Sequence, residues 1–213
     1  LGQKSTKLKS IAVFASGRGS NFAAILEQIQ RGNIPAQIRC IISDHTHPPV
    51  FDIAGKAGIS THWVNRKQFD SRDDYTIFLL SLLEKYKVDL VVLAGYLKLI
   101  PMPIVKRYKN SMINIHPALL PNFCGKDFYG IKVHEAVIES GVKITGVTVH
   151  FVDEHYDTGP IIIQEKVEVL PDDTPETLAK RVLKIEHKVY PEVVKAFCDG
   201  RLEVVDRKVL WRE

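Results

Sequence analysis

The feature that most constrains the fold is an alternation of short apolar runs, each about one strand long, with segments whose apolar residues recur at helical spacing. Ile11 to Ala15 reads Ile-Ala-Val-Phe-Ala, the pattern of a parallel strand covered on both faces. It ends in Ser16-Gly17-Arg18-Gly19-Ser20-Asn21, after which Phe22, Ile25, Leu26 and Ile29 line one helix face and Gly32 closes the helix. The pattern repeats. Gln37 to Ser43 reads as a second strand, Pro48 to Ala57 as a helix and Thr61 to Val64 as a third strand. Ser71 with Asp74 makes a capping-box start for a helix whose apolar face is Tyr75, Phe78, Leu79, Leu82, Leu83 and Tyr86. Leu90 to Ala94 is a fourth strand, Pro101 or Pro103 opens a short helix toward Tyr108, and Met112 to His116 supplies a fifth strand. Such an order predicts an α/β fold with a doubly wound, mostly parallel sheet.

Beyond Pro121 the character changes. Asn122 to Val133 reads as a loop, His134 to Ser140 as a short helix, and Thr145 to Val152 as a strand turning Val147, Val149 and Phe151 inward. A polar loop from Asp153 to Pro160 follows, then an apolar strand from Ile161 to Ile163. Strands joined without a helix predict an antiparallel C-terminal extension of the sheet. Thr174 and Pro175 start a long helix that reaches Asp199 before Gly200, with a kink or break expected at Pro191. Its inner stripe is Leu178, Val182, Ile185, Val189 and Phe197, and Leu202 to Leu210 is expected to add an edge strand. A chain of 213 residues fits one domain, taken as 11–213 behind a disordered leader, 1–10, that holds Lys4, Lys7 and Lys9 and no acid.

Partner classes narrow on charge and hydropathy. The net charge of +4 lies largely in that leader, while other basic residues are interspersed with acids, so a nucleic-acid surface is not expected. No apolar run approaches the roughly 20 residues of a membrane span. Cys40, Cys124 and Cys198 are odd in number and widely spaced, which fits a reducing, cytoplasmic setting. His150, Asp153 and His155 lie close in sequence but fit neither a helix face nor a strand period. No metal site is expected, and His62, His134, His150, His155 and His187 read as ordinary core or surface residues.

The chemistry concentrates at the fifth strand. Ile113 and Ile115 alternate with Asn114 and His116, so one face is core and the other offers a carboxamide donor beside an imidazole. That pair suits acyl transfer, with Asn114 on the carbonyl oxygen and His116 moving a proton; the alternative is a solvated strand edge. Asp157 is the acid paired with His116, expected to raise the ring's pKa and fix its orientation, against the alternative of a solvated loop acid. The Gly17 turn and helix N-terminus suit an anion. A nucleotide P-loop would need Gly-Lys-Ser/Thr, which is absent, and a dinucleotide fingerprint would need glycine where Phe22 stands, although Asp44 mimics its ribose-binding acid. A phosphate monoester site at Gly19, Ser20 and Asn21 remains, beside the alternative of a turn that binds nothing. In doubly wound sheets ligands lie beyond the strands' carboxyl ends, which is where this turn, the segment Tyr96 to Ile100 and the Asn114/His116 pair all fall.

Together, Ser-Gly-Arg-Gly-Ser-Asn at 16 to 21, Val-Leu-Ala-Gly-Tyr at 92 to 96, Asn-Ile-His-Pro-Ala-Leu-Leu-Pro at 114 to 121, and Val-His-Phe-Val-Asp-Glu followed by Asp157-Thr-Gly-Pro resemble the phosphoribosylglycinamide formyltransferase family from Ile11 to about Leu202. The resemblance implies a Rossmann-like fold and transfer of a formyl group from 10-formyltetrahydrofolate, the co-substrate, to glycinamide ribonucleotide in purine synthesis, with no metal. It implies Asn114, His116 and Asp157 as catalytic residues, Asn114 and protonated His116 holding the oxyanion while Asp157 orients His116 and helps move a proton, with Gly19, Ser20, Asn21 and Glu186 at the ribonucleotide, and Arg72, Leu97, Lys98, Leu99, Ile100 and Asn114 at the folate, Arg72 facing the glutamyl tail. Many members carry Met-Arg where this chain has Leu97 and Lys98, and many have a shorter loop than Gly125 to Val133. Methionyl-tRNA formyltransferase and formyltetrahydrofolate deformylase share the Asn-x-His region but carry a further domain, for which this chain is expected to be too short. A monomer or homodimer is expected, and a non-catalytic phosphate-binding module is the alternative to an enzyme.

Overall fold

The computed structural model describes residues 8–125 and 128–213. Its sheet is built from β1 (Lys9–Phe14), β2 (Ala36–Ser43), β3 (Ser60–Trp63), β4 (Leu90–Leu93), β5 (Met112–His116), β6 (Ile144–Phe151) and β7 (Ile161–Glu168). The spatial order is β3-β2-β1-β4-β5-β6-β7, parallel as far as β5 and antiparallel at β6 and β7. This is the expected doubly wound sheet with its antiparallel extension. The winding direction reverses between β1 and β4, and the crevice at their carboxyl ends is where such sheets take ligands.

Helices cover both faces because both faces of the central strands are apolar. On one face Ile11, Val13, Val92, Ile113 and Ile115 pack with residues of α1 (Ser20–Gln30), α5 (Ile131–Glu139) and α6 (Pro175–Cys198). On the other, Phe14, Val91, Leu93 and Met112 pack against α3 (Arg72–Lys85) and α4 (Met102–Arg107). Ile113 is wholly buried, a contribution of roughly 1.5–3 kcal/mol relative to an exposed side chain. The short α2 (Val50–Lys56) lies beside the Gly17 turn, where the Val50 N–H donates to the Gly17 carbonyl at 3.2 Å.

The Ser71 capping box forms as expected, Ser71 Oγ accepting from the Asp74 N–H at 3.0 Å while Asp74 Oδ2 accepts from the Ser71 N–H at 3.2 Å. Other details depart from expectation. Strand β1 begins at Lys9, ahead of Ile11, because Lys9 and Ser10 pair with Ala36 and Gln37 of β2, and the Ser10 N–H also donates to the Asp89 carboxylate at 2.8 Å; of the basic leader, residues 1–7 lie outside the described residues. Phe78 is exposed and leans on Phe69, its ring centroid 5.3 Å away, and is not part of the buried α3 face. Helix α6 continues unbroken through Pro191. The C-terminal segment does not extend the main sheet. Among the described residues, strands β8 (Leu202–Val205) and β9 (Lys208–Trp211) pair only with each other, and Trp211 Nε1 anchors the hairpin by donating to the Ile162 carbonyl at 3.0 Å.

Candidate active site

Strand register assembles the first half of the site. Antiparallel pairing sets Asn114 opposite His150 and His116 opposite Thr148, so β5 and β6 present their polar residues on one face. The β6–β7 loop then brings Asp157 back over them. Asn114 Nδ2 donates to Asp157 Oδ1 at 3.3 Å and approaches His150 Nε2 at 3.2 Å. His150 Nδ1 lies 2.8 Å from the Phe151 carbonyl, which can only accept, so Nδ1 carries a proton and Nε2 faces both Asn114 Nδ2 and Asp157 Oδ1. The Asn114 amide is thus held in the resting site at distances longer than the usual 2.9–3.0 Å optimum, contacts that an incoming oxygen can replace.

His116 is read the same way. Its Nε2 lies 2.8 Å from the Phe123 carbonyl, so the ring's proton sits there, and Nδ1 faces Asp157 Oδ2 at 3.8 Å. Thr148 locks the turn that follows, its Oγ1 donating to the Ala118 carbonyl and accepting from the Leu120 N–H. Burial pushes the His116 pKa below the ordinary imidazole range, outweighing the upward pull of Asp157 and of the Phe123 bond. The raised value expected from the carboxylate is therefore reversed, because the ring side chain is only 5% exposed. For Asp157 burial acts upward, yet hydrogen bonding with His150, the His116 ring and the Gly125 N–H at 3.2 Å together hold the carboxyl below its usual range. The cluster at rest is a carboxylate flanked by two histidine rings.

A second cleft opens on the opposite face of the sheet. Gly17, Arg18, Gly19, Ser20 and Asn21 line it with His134, Glu176, Lys180 and Glu186. Gly19 precedes α1 in a left-handed conformation (φ 75°), and a Cβ there would lie 2.5 Å from Val50 Cγ2, so the turn accepts only glycine. No side chain caps α1 and no acid stands in its first turn, leaving its N–H groups and positive dipole end available to an anion. Asn21 Nδ2 donates to Glu186 Oε2 at 2.6 Å while, among the described residues, buried Asn21 Oδ1 lacks a partner. Burial raises the Glu186 pKa, partly offset by the Asn21 bond. The two clefts share Gly95, Ile115, Pro117 and Gly130, so they meet at the end of β5.

A family model described as "Formyl transferase" matches residues 9–194. Phosphoribosylglycinamide formyltransferase of Bacillus subtilis is 39% identical over 188 residues, covering 88% of this chain and 94% of its own length. The chain belongs to the phosphoribosylglycinamide formyltransferase family. Its fold is that of the family: glycinamide ribonucleotide transformylase 1 of Symbiobacterium toebii superposes with a TM-score of 0.92 at 37% identity, covering 100% of this chain and 99% of the other. The chloroplastic phosphoribosylglycinamide formyltransferase of Vigna unguiculata is 42% identical over 99% of this chain, and the chain spans 65% of that protein's length.

In this member of the family the first cleft is lined by Leu93, Leu97, Lys98, Leu99, Ile100, Asn114, His116 and Asp157, bringing together all the expected catalytic and folate-side residues except Arg72. Arg72 stands exposed at the first position of α3 and does not line that cleft. Ser16 holds the Leu97 segment in place, its Oγ accepting from the Leu97 N–H at 3.2 Å and donating to buried Asp44 Oδ1 at 2.6 Å. Asp44 is thus a structural partner of the turn, not a ribose ligand. The loop after Gly125 lines the same cleft with Phe128, Tyr129 and Gly130. His150 was expected to be an ordinary histidine, yet it is 2% exposed and 3.5 Å from Asp157 Oδ1. Its position opposite Asn114 follows from the strand register, which residue types alone did not supply. Arg18 and Lys180 likewise line the second cleft without having been singled out. Among the described residues no group of three His, Cys, Asp or Glu side chains is arranged to hold a metal ion.

Proposed function

We propose that the chain transfers the formyl group of 10-formyltetrahydrofolate to the amine of glycinamide ribonucleotide in purine synthesis. The observation that carries this is the placement of Asn114, His116 and Asp157 where two clefts meet, one with apolar walls suited to a flat ring system and one built around a phosphate-type turn. Gly19, Ser20 and Asn21 hold the phosphate, with Arg18 and Lys180 as counter-charge, and Glu186 faces the ribose. Leu97 to Ile100 hold the folate ring. Arg72, exposed outside the cleft, is the cation for the glutamyl tail.

As the amine nitrogen bonds to the formyl carbon, the carbonyl pair moves to oxygen, and Asn114 Nδ2 gives up one of its long bonds to stabilise that charge. His116 enters neutral and takes the proton shed by the nitrogen at Nδ1, where Asp157 stabilises the resulting imidazolium. The ring and Asp157 then deliver this proton to the folate nitrogen as its bond to carbon breaks. The three free cysteines fit a reducing compartment, of which the cytoplasm is one and the plastid of the Vigna relative another. The test is an acceptor competition, supplying 10-formyltetrahydrofolate with glycinamide ribonucleotide, methionyl-tRNA or water alone. Formylated ribonucleotide is the expected product. Formate release as the main product, or transfer to tRNA, would overturn the assignment.

A further inference from the structure

The loop that carries Asp157 is a small closed ring held from outside. Asp153 Oδ1 accepts from Thr158 Oγ1 at 2.6 Å and from the His155 N–H at 3.3 Å, joining the loop's two ends. Asp157, between them, adopts a left-handed backbone (φ 55°) that costs a non-glycine residue energy and persists only where its surroundings impose it. Gly159 packs so closely that a Cβ would lie 1.7 Å from the Phe151 carbonyl oxygen, which fixes one end. The other constraint comes from the C-terminal hairpin, which belongs to neither cleft. Arg207 Nη2 donates to Asp153 Oδ2 at 3.0 Å and to the Thr158 carbonyl at 2.6 Å, bridging both ends of the ring.

The hairpin turn is shaped for this reach. Asp206 and Arg207 both have positive φ (46° and 64°), a two-residue turn usually occupied by Asn-Gly or Gly-Gly, so two ordinary residues are held in a strained conformation there. Trp211 and the Ile162 carbonyl anchor the same hairpin to β7. Arg207 is 66% exposed, and an exposed ion pair contributes little to global stability, so its effect is local to the loop. We propose that Arg207 is a positioning residue that holds the Asp157 loop, and through it Asp157, in register with His116 and Asn114. The inference rests on the proposed formyl transfer and assigns this hairpin a part in it.

The test compares Arg207→Ala and Arg207→Lys with the unaltered protein in kcat, both KM values, thermal stability and amide hydrogen exchange over residues 154–158. In Arg207→Ala, kcat is expected to fall about tenfold, as loosened positioning of a reacting group does. The ribonucleotide KM stays within about twofold because that cleft shares no residue with the clamp. Amide exchange in the loop accelerates, the melting temperature changes little, and Arg207→Lys recovers part of the rate because an ammonium can engage one acceptor. Unchanged kcat in Arg207→Ala overturns the proposal, as does a kcat loss matched by loss of folded protein. If the unaltered protein itself transfers no formyl group, the functional reading fails instead, and the exchange comparison still decides the clamp.

Discussion

Replacing Asn114 by alanine separates the chemistry of the site from its architecture. The backbone of residue 114 is fixed by pairing with Leu93 on one side and His150 on the other, and neither pairing uses the side chain. The substitution should therefore leave the fold in place. It removes the only carboxamide of the cluster, whose Nδ2 stands 3.3 Å from Asp157 Oδ1 and 3.2 Å from His150 Nε2. Loss of one preorganised donor to a developing oxyanion raises a barrier by about 2.7–4 kcal/mol, so kcat should fall on the order of 10² to 10³. Ribonucleotide KM should change little, since the interaction strengthens only as the carbonyl becomes an oxyanion. Asn114→Asp tests the same donor with charge added. A second carboxylate 3.3 Å from Asp157 would be repelled by about 5 kcal/mol at an effective dielectric of 20, so this near-isosteric change should be at least as damaging as alanine. Steady-state rates followed by folate absorbance, with circular dichroism to confirm folding, provide the assay. An Asn114→Ala protein turning over within threefold of the original would refute the oxyanion role.

Three further outcomes follow from the same geometry. Ser20→Glu places a negative charge in the first turn of α1, so ribonucleotide KM should rise at least tenfold while folate KM holds; equal changes in both would remove the phosphate site from the Gly17 turn. Because burial lowers the His116 pKa, the acid limb of kcat/KM should lie below the ordinary imidazole value of about 6.5. In Asp157→Asn the residual activity should titrate lower still, the carboxylate's upward pull being gone, and a limb above 6.5 in the unaltered protein would contradict the neutral resting ring. His134 is held near pKa 4 by burial and by the nearby His116. Between that value and about 6.5 the unfolded chain binds more protons, so urea stability should decline as pH drops through this window, and less steeply in His134→Gln; a parallel decline in both proteins would show that His134 is not the group responsible.

The fold was legible because its strands are short apolar runs and its helices have clear capping and periodic apolar faces. Strand β1, α1 and the Ser71 box lie where the pattern put them, within two residues. Asn114 and His116 could be recognised since they alternate with two core isoleucines on one strand. What the pattern could not supply was register. His150 becomes a site residue only because β6 pairs antiparallel with β5 at one particular offset, and a shift of one residue would have turned it away. The sign of the His116 shift was hidden for a related reason. A neighbouring carboxylate is visible in a sequence, but the burial that outweighs it is a property of the assembled cleft. The C-terminal hairpin was misread as an edge strand because residue pattern does not say which partner a strand will find.

The proposed transfer requires two substrates to approach from opposite faces of one sheet and meet at the end of β5. A crystal structure with glycinamide ribonucleotide and a non-transferable formyl-folate analogue measures that directly. The phosphate is expected on the N–H groups of Gly19 to Asn21, the amine nitrogen about 3–3.5 Å from the formyl carbon, and the formyl oxygen directed at Asn114 Nδ2. A phosphate bound elsewhere, or a formyl oxygen turned away from Asn114, would contradict it.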